Sequence, residues 1–128
     1  MSYTINRTIE GASFEDVTAR TREALASQGF GVLTEIDVKA TMKKKLGVDM
    51  EDYLILGACN PDLAHKAIGM EPRIGAMLPC NVILRAVTGG VEVSAIDPAA
   101  SMAAVDNDDL KSVAGQVGTM LSDVVDAI

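Results

Sequence analysis

Cys80-Asn-Val-Ile-Leu-Arg-Ala-Val87, Thr88-Gly89-Gly90 and Val91-Glu-Val-Ser-Ala-Ile96 form the stretch that decides the fold. Cys80, Val82, Leu84 and Ala86 alternate with Asn81, Ile83, Arg85 and Val87, the period-two pattern of a strand. Gly89-Gly90 is a two-residue hairpin signal, so the chain returns antiparallel through Val91–Ile96. With that turn, Ala86 faces Val93 and Leu84 faces Ala95, which sets apolar against apolar. A hairpin at this point requires antiparallel pairing in the sheet.

Upstream, Asn60-Pro61 opens a short helix, because Asn caps well and Pro suits the first helical position. Leu63, Ala64, Ala67 and Ile68 form its apolar side, and Gly69 ends it. Before it, Tyr53–Ala58 is an uninterrupted apolar run, expected as a strand buried on both faces or central in its sheet. Residues 32–38 alternate as another strand, followed by a short helix to Leu46 that is stopped by Gly47 and expected to turn Met42 and Leu46 inward. Residues 2–9 alternate, with Tyr3, Ile5, Arg7 and Ile9 on one side. Ser13 then caps a helix whose Phe14, Val17, Thr21, Ala24, Leu25 and Gln28 share a face, with Gly29 as the stop.

Downstream, Asp97-Pro98 ends the sheet, and residues 99–109 are a linker with a helical turn near Met102. Leu110, Val113, Ala114, Val117, Leu121, Val124, Val125 and Ile128 follow helical spacing closely. The expected architecture is α+β, a two-layer sandwich: an antiparallel or mixed sheet of about five strands with helices on one face. The 128 residues suit a single domain, 1–128.

Composition narrows the function. Eleven Lys and Arg against eighteen Asp and Glu leave a net charge of −7, opposite to what phosphate neutralisation demands, so no nucleic-acid partner is expected. No apolar run approaches the length of a membrane span, and the N-terminus lacks a signal-peptide core. A cytoplasmic protein without a membrane partner is expected, its two cysteines reduced at rest.

The unusual chemistry lies between Tyr53 and Val87. Cys59 and Cys80 each neighbour an Asn and a Pro, with the sole histidine, His65, between them. Base rates favour two buried, inert thiols. Against that, Cys59 precedes a helix N-terminus, where backbone N–H groups favour a thiolate. Cys59 and Cys80 with Met77 or Met102 also form a donor set for a soft metal. Two Cys twenty-one residues apart with one His do not make a zinc pattern. Antiparallel adjacency of their strands would bring the cysteines together. A Cys59–His65 nucleophile pair, as in a hydrolase or transferase, needs His65 to turn back past its helix start, whereas the helix pattern puts it on the surface. Asn60 and Asn81 are equally suited to tying down turns and to contacting a ligand. The acidic loop at Asp49, Glu51 and Asp52 and the lysines 43–45 read as solvated charges.

Gly29-Phe-Gly-Val-Leu-Thr-Glu-Ile-Asp-Val38, Leu56-Gly-Ala-Cys-Asn-Pro61, Glu71-Pro72, Met77-Leu-Pro-Cys-Asn-Val82 and Asp97-Pro98 with Met102 resemble, in order, the signature of the domain-of-unknown-function family numbered 302. The resemblance covers essentially the whole chain. It implies a small α+β domain, often a homodimer, and brings no established reaction or cofactor. The expected function is therefore binding of a small molecule or soft metal, or a thiol redox role, at a cleft near Cys59 and Cys80. The alternatives are a homo-oligomeric interaction module and a Cys–His enzyme.

Overall fold

The computed structural model describes residues 2–128. Five strands, β1 (Thr4–Glu10), β2 (Gly31–Asp37), β3 (Tyr53–Cys59), β4 (Cys80–Val87) and β5 (Gly90–Ile96), form one sheet in the order β1-β5-β4-β3-β2. Every neighbouring pair is antiparallel. The helices are α1 (Phe14–Ser27), α2 (Val38–Leu46), α3 (Pro61–Met70), α4 (Pro98–Ser101) and α5 (Asp108–Ala127), with a 3₁₀ segment at Pro72–Met77. The architecture is an α+β two-layer sandwich.

Local signals set the helix starts. Ser13, Asp37, Asn60, Asp97 and Asn107 each accept a backbone N–H at the head of a helix, satisfying a donor that the helix leaves unpaired. Pro61 and Pro98 follow their caps in the first turn, where a missing N–H costs nothing. Gly29 and Gly47 stop α1 and α2 with positive φ, a conformation that side chains with a Cβ rarely adopt.

Leu54, Leu56 and Ala58 of β3, Cys80, Val82 and Leu84 of β4, and Val91, Val93 and Ala95 of β5 lie on one face of the sheet. Against them pack Val17, Ala24 and Leu25 of α1, Leu63 of α3, and Val117, Leu121, Val124 and Val125 of α5. A second, smaller cluster of Ala67, Ile74, Met102, Leu110 and Ala114 lies between α3, the 3₁₀ segment and the start of α5.

Several details depart from the pattern in the sequence. The hairpin turns at Thr88-Gly89, so Ala86 pairs with Val91 and Leu84 with Val93, two residues from the register expected of a Gly89-Gly90 turn. Because the slip is even, the buried face is unchanged. β2 does not alternate strictly: a register shift between Val32 and Thr34 leaves Val32 opposite Ala58 while Thr34 and Ile36 pair with Gly57 and Ile55 on the other face. Leu46 is 69% exposed, and α2 buries no residue. Ile68 is exposed, so the apolar side of α3 is narrower than its sequence implies. Tyr53 and Ile55 are half-buried rather than buried, so β3 is interior to the sheet but closed over on one face only.

Candidate functional site

β3 ends where β4 begins. The two strands are antiparallel neighbours, and Ala58 pairs directly with Cys80. Cys59 is therefore one step diagonal from Cys80 at the mouth of the same strand pair. It is the last residue of β3, beyond which Asn60 caps α3. Both cysteines are free thiols.

The two residues border one cavity of about 40 Å³, roomy enough for more than a single water. Its floor is the sheet end at Ala58, Cys59 and Cys80. Leu63, Ala64 and Ala67 of α3 form one wall, and Leu110, Val113, Ala114 and Val117 of α5 another. Phe30, Leu78, Pro79, Pro98 and Met102 close the remainder. The lining carries no ionised carboxylate, ammonium or guanidinium. Four of the lining residues are alanines, Ala58, Ala64, Ala67 and Ala114, whose side chains occupy little volume.

Cys80 is 8% exposed, and burial pushes its thiol up from 9.0 to about 11, with the neighbouring Cys59 adding to the rise. The backbone pairing of Ala58 with Cys80 sets Cys59 one residue beyond that pair, at the same end of the two strands. Cys59 is half-buried and so the more accessible of the pair. Asn60 also lines the cavity, with its Oδ1 accepting the Leu63 N–H at 3.3 Å.

The other candidate residues divide clearly. Met102 is 5% exposed and lines the cavity. Met77 is 43% exposed and borders shallow surface hollows instead. Asn81 is exposed on the opposite sheet face, paired with Gly57, and lies outside the cavity. His65 is exposed on α3 and does not line the cavity, so no Cys59–His65 pair is assembled there. Among the described residues, no group of three His, Cys, Asp or Glu side chains is placed to hold a metal ion. Asp49 and Asp52 pair with Lys43 and Lys39 at the surface.

The end of β3 also requires Gly57. A methyl group there would stand 2.7 Å from Pro79 Cγ and collide with Thr34 Oγ1. The lack of a side chain lets Pro79 fold down beside the strand, next to Cys80. Phe30, Leu63 and Val117 also line the cavity; the sequence marked Leu63 and Val117 as helical core positions and none of the three as a site residue. The one available sign is that Ala64, Ala67 and Ala114, small residues, occupy helical core positions.

A family model described as a domain of unknown function, DUF302, matches residues 5–128. The chain belongs to the DUF302 family. The crystal structure of an uncharacterized conserved DUF302 protein from Bacillus stearothermophilus superposes with a TM-score of 0.92 at 23% identity, covering 99% of this chain and 98% of that one. At that identity the likeness concerns the DUF302 fold alone. No curated protein matches the chain. No helix among the described residues is long and apolar enough to cross a membrane.

Proposed function

We propose that this DUF302 domain is a small-ligand binding protein whose site is the apolar cavity at the β3–β4 mouth. The observation that carries the reading is the joint presence of both cysteines on that one cavity, one half-buried and the other buried. An apolar pocket with few polar groups is the usual setting for a small ligand. Cys59 is the gate residue and Cys80 the interior one. Alkylation of the native protein at neutral pH, followed by peptide mass analysis, tests the arrangement. The expected result is one modified thiol per chain, at Cys59, with slower modification once the cavity is filled. Two unreactive thiols would remove the reading.

A second reading, self-association, is favoured by a different observation. Ile36, Ile55 and Ile83 stand side by side across three strands on the sheet face opposite α1, α3 and α5. Ile36 is 47% exposed there. A homodimer joined through this face predicts a doubled mass in sedimentation velocity that falls to the monomer value in Ile55→Lys. A monomeric parent protein would dismiss it.

A further inference from the structure

Three sulfur-bearing residues from separate parts of the chain line this one cavity. Cys59 ends β3, Cys80 starts β4, and Met102 follows α4; all three line the same space. They are both cysteines of the chain and one of its seven methionines. The remaining side-chain walls are apolar apart from Asn60, whose carbonyl oxygen is engaged as the cap of α3. We propose that this cavity takes a single soft monovalent cation of the Cu(I) type, held by the sulfur atoms of Cys59, Cys80 and Met102. The proposal rests on the reading of the cavity as the binding site and names its ligand.

Selectivity follows from what the walls lack. Hard cations need several oxygen ligands, and the lining offers no carboxylate. Zinc in a structural site takes four ligands from Cys, His and carboxylates, of which only two are present. Thiolate and thioether sulfur select Cu(I) instead, and an apolar surround excludes the water that would compete. Cys59 is the terminal residue of β3, followed at once by the Asn60 cap of α3, and it borders the cavity from the end of the strand. Binding exchanges two S–H bonds for two S–Cu bonds: both protons leave to solvent, and the metal's oxidation state does not change. Two thiolates and one monovalent cation leave a single negative charge on the site. The thioether of Met102 adds a third donor without adding charge.

The test uses the full chain, reduced and kept under argon, titrated with Cu(I), with Ag(I) as an air-stable second probe. Native mass spectrometry reports stoichiometry, and ultraviolet absorbance reports thiolate–metal charge transfer. One ion per chain is expected. Cys59→Ser and Cys80→Ala should each weaken binding by more than the roughly 10- to 100-fold that loss of an outer-shell partner costs. Met102→Leu conserves volume in a core position, so it keeps the fold and should lose affinity less steeply. Met77→Leu serves as the control and should bind as the parent does. Cu(I) uptake unchanged in Met102→Leu, or shared by Cys59→Ser and Cys80→Ala, overturns the site. Dissolved xenon, an apolar probe that needs no sulfur, separates the two levels of the argument by the shifts it induces in NMR spectra. Xenon in the cavity without Cu(I) uptake overturns the cation and spares the binding reading. Uptake of neither overturns both.

Discussion

Cys80 stores a pH dependence that a solvent-exposed thiol would not have. Its folded value near 11 lies above the ordinary 9.0, because burial and the adjacent Cys59 both disfavour the thiolate. The unfolded chain loses this proton first, so folding holds its full strength below pH 9 and weakens as pH rises toward 11. The shift corresponds to about 2–3 kcal/mol across that window. Urea unfolding of the parent and of Cys80→Ala over the same pH range checks it: the parent's midpoint should fall relative to the variant's. Parallel pH profiles would show that the thiol carries no such penalty. At this scale the sequence showed only part of the site. Cys59 and Cys80 were visible as reactive residue types at element ends. Met77 and Met102 were indistinguishable until the chain placed one at the surface and one in the core. His65 was legible as a surface residue because helical spacing alone turns it away from the Leu63–Ala67 side.

Among the elements, α5 depends on a residue that the alternation of β1 could locate but not explain. Arg7 shares a side with Ile5 and Ile9, where a charge looks misplaced. Its Nη1 donates to the carbonyls of Val125, Asp126 and Ile128 at 3.2, 2.9 and 2.7 Å. α5 has no basic residue in its last turn, so a strand at the other end of the sequence supplies the positive charge that its C-terminus favours. Arg7→Met keeps the packing stem and removes the donor. We expect a loss of about 1–2 kcal/mol, read as a lower thermal midpoint, because partly buried charges at a helix terminus reach that size. An unchanged midpoint would mean water replaces the guanidinium fully. The caps Ser13 and Asn60 were readable because such side chains act on backbone groups within their own turn, whereas Asp97 and Asn107, read as a sheet end and part of a linker, also cap helices. The hairpin register and the β2 shift were not readable, because either turn choice keeps apolar residues paired and one extra residue in β2 leaves its composition unaltered. The exposure of Leu46 depends on what lies beyond α2, and no local pattern reports that.

For the whole molecule, the layer order follows from the hairpin and from which helical faces are apolar, and both were legible. The strand order β1-β5-β4-β3-β2 was not, since it depends on long-range pairing of β1 with β5. That order is what puts β3 beside β4 and turns two cysteines twenty-one residues apart into neighbours. The main core and the smaller cluster around Met102 meet at the cavity, with Ala58, Leu63, Cys80 and Val117 from the first and Ala67, Met102, Leu110 and Ala114 from the second. The cavity is thus a seam between two packing units, and the amides of 63–67 and 110–117 span it. Domains open in cooperative units smaller than the whole, each with its own free energy. A ligand seated on a seam ties both sides to one event. Hydrogen exchange should therefore show residues 98–114 opening independently in the empty protein and together with the central strands once the cavity is filled. An occupied cavity that leaves those two exchange rates distinct would mean the units remain uncoupled. If the cavity binds a ligand as proposed, that ligand would sit on the joint between the two packing units and hold them together.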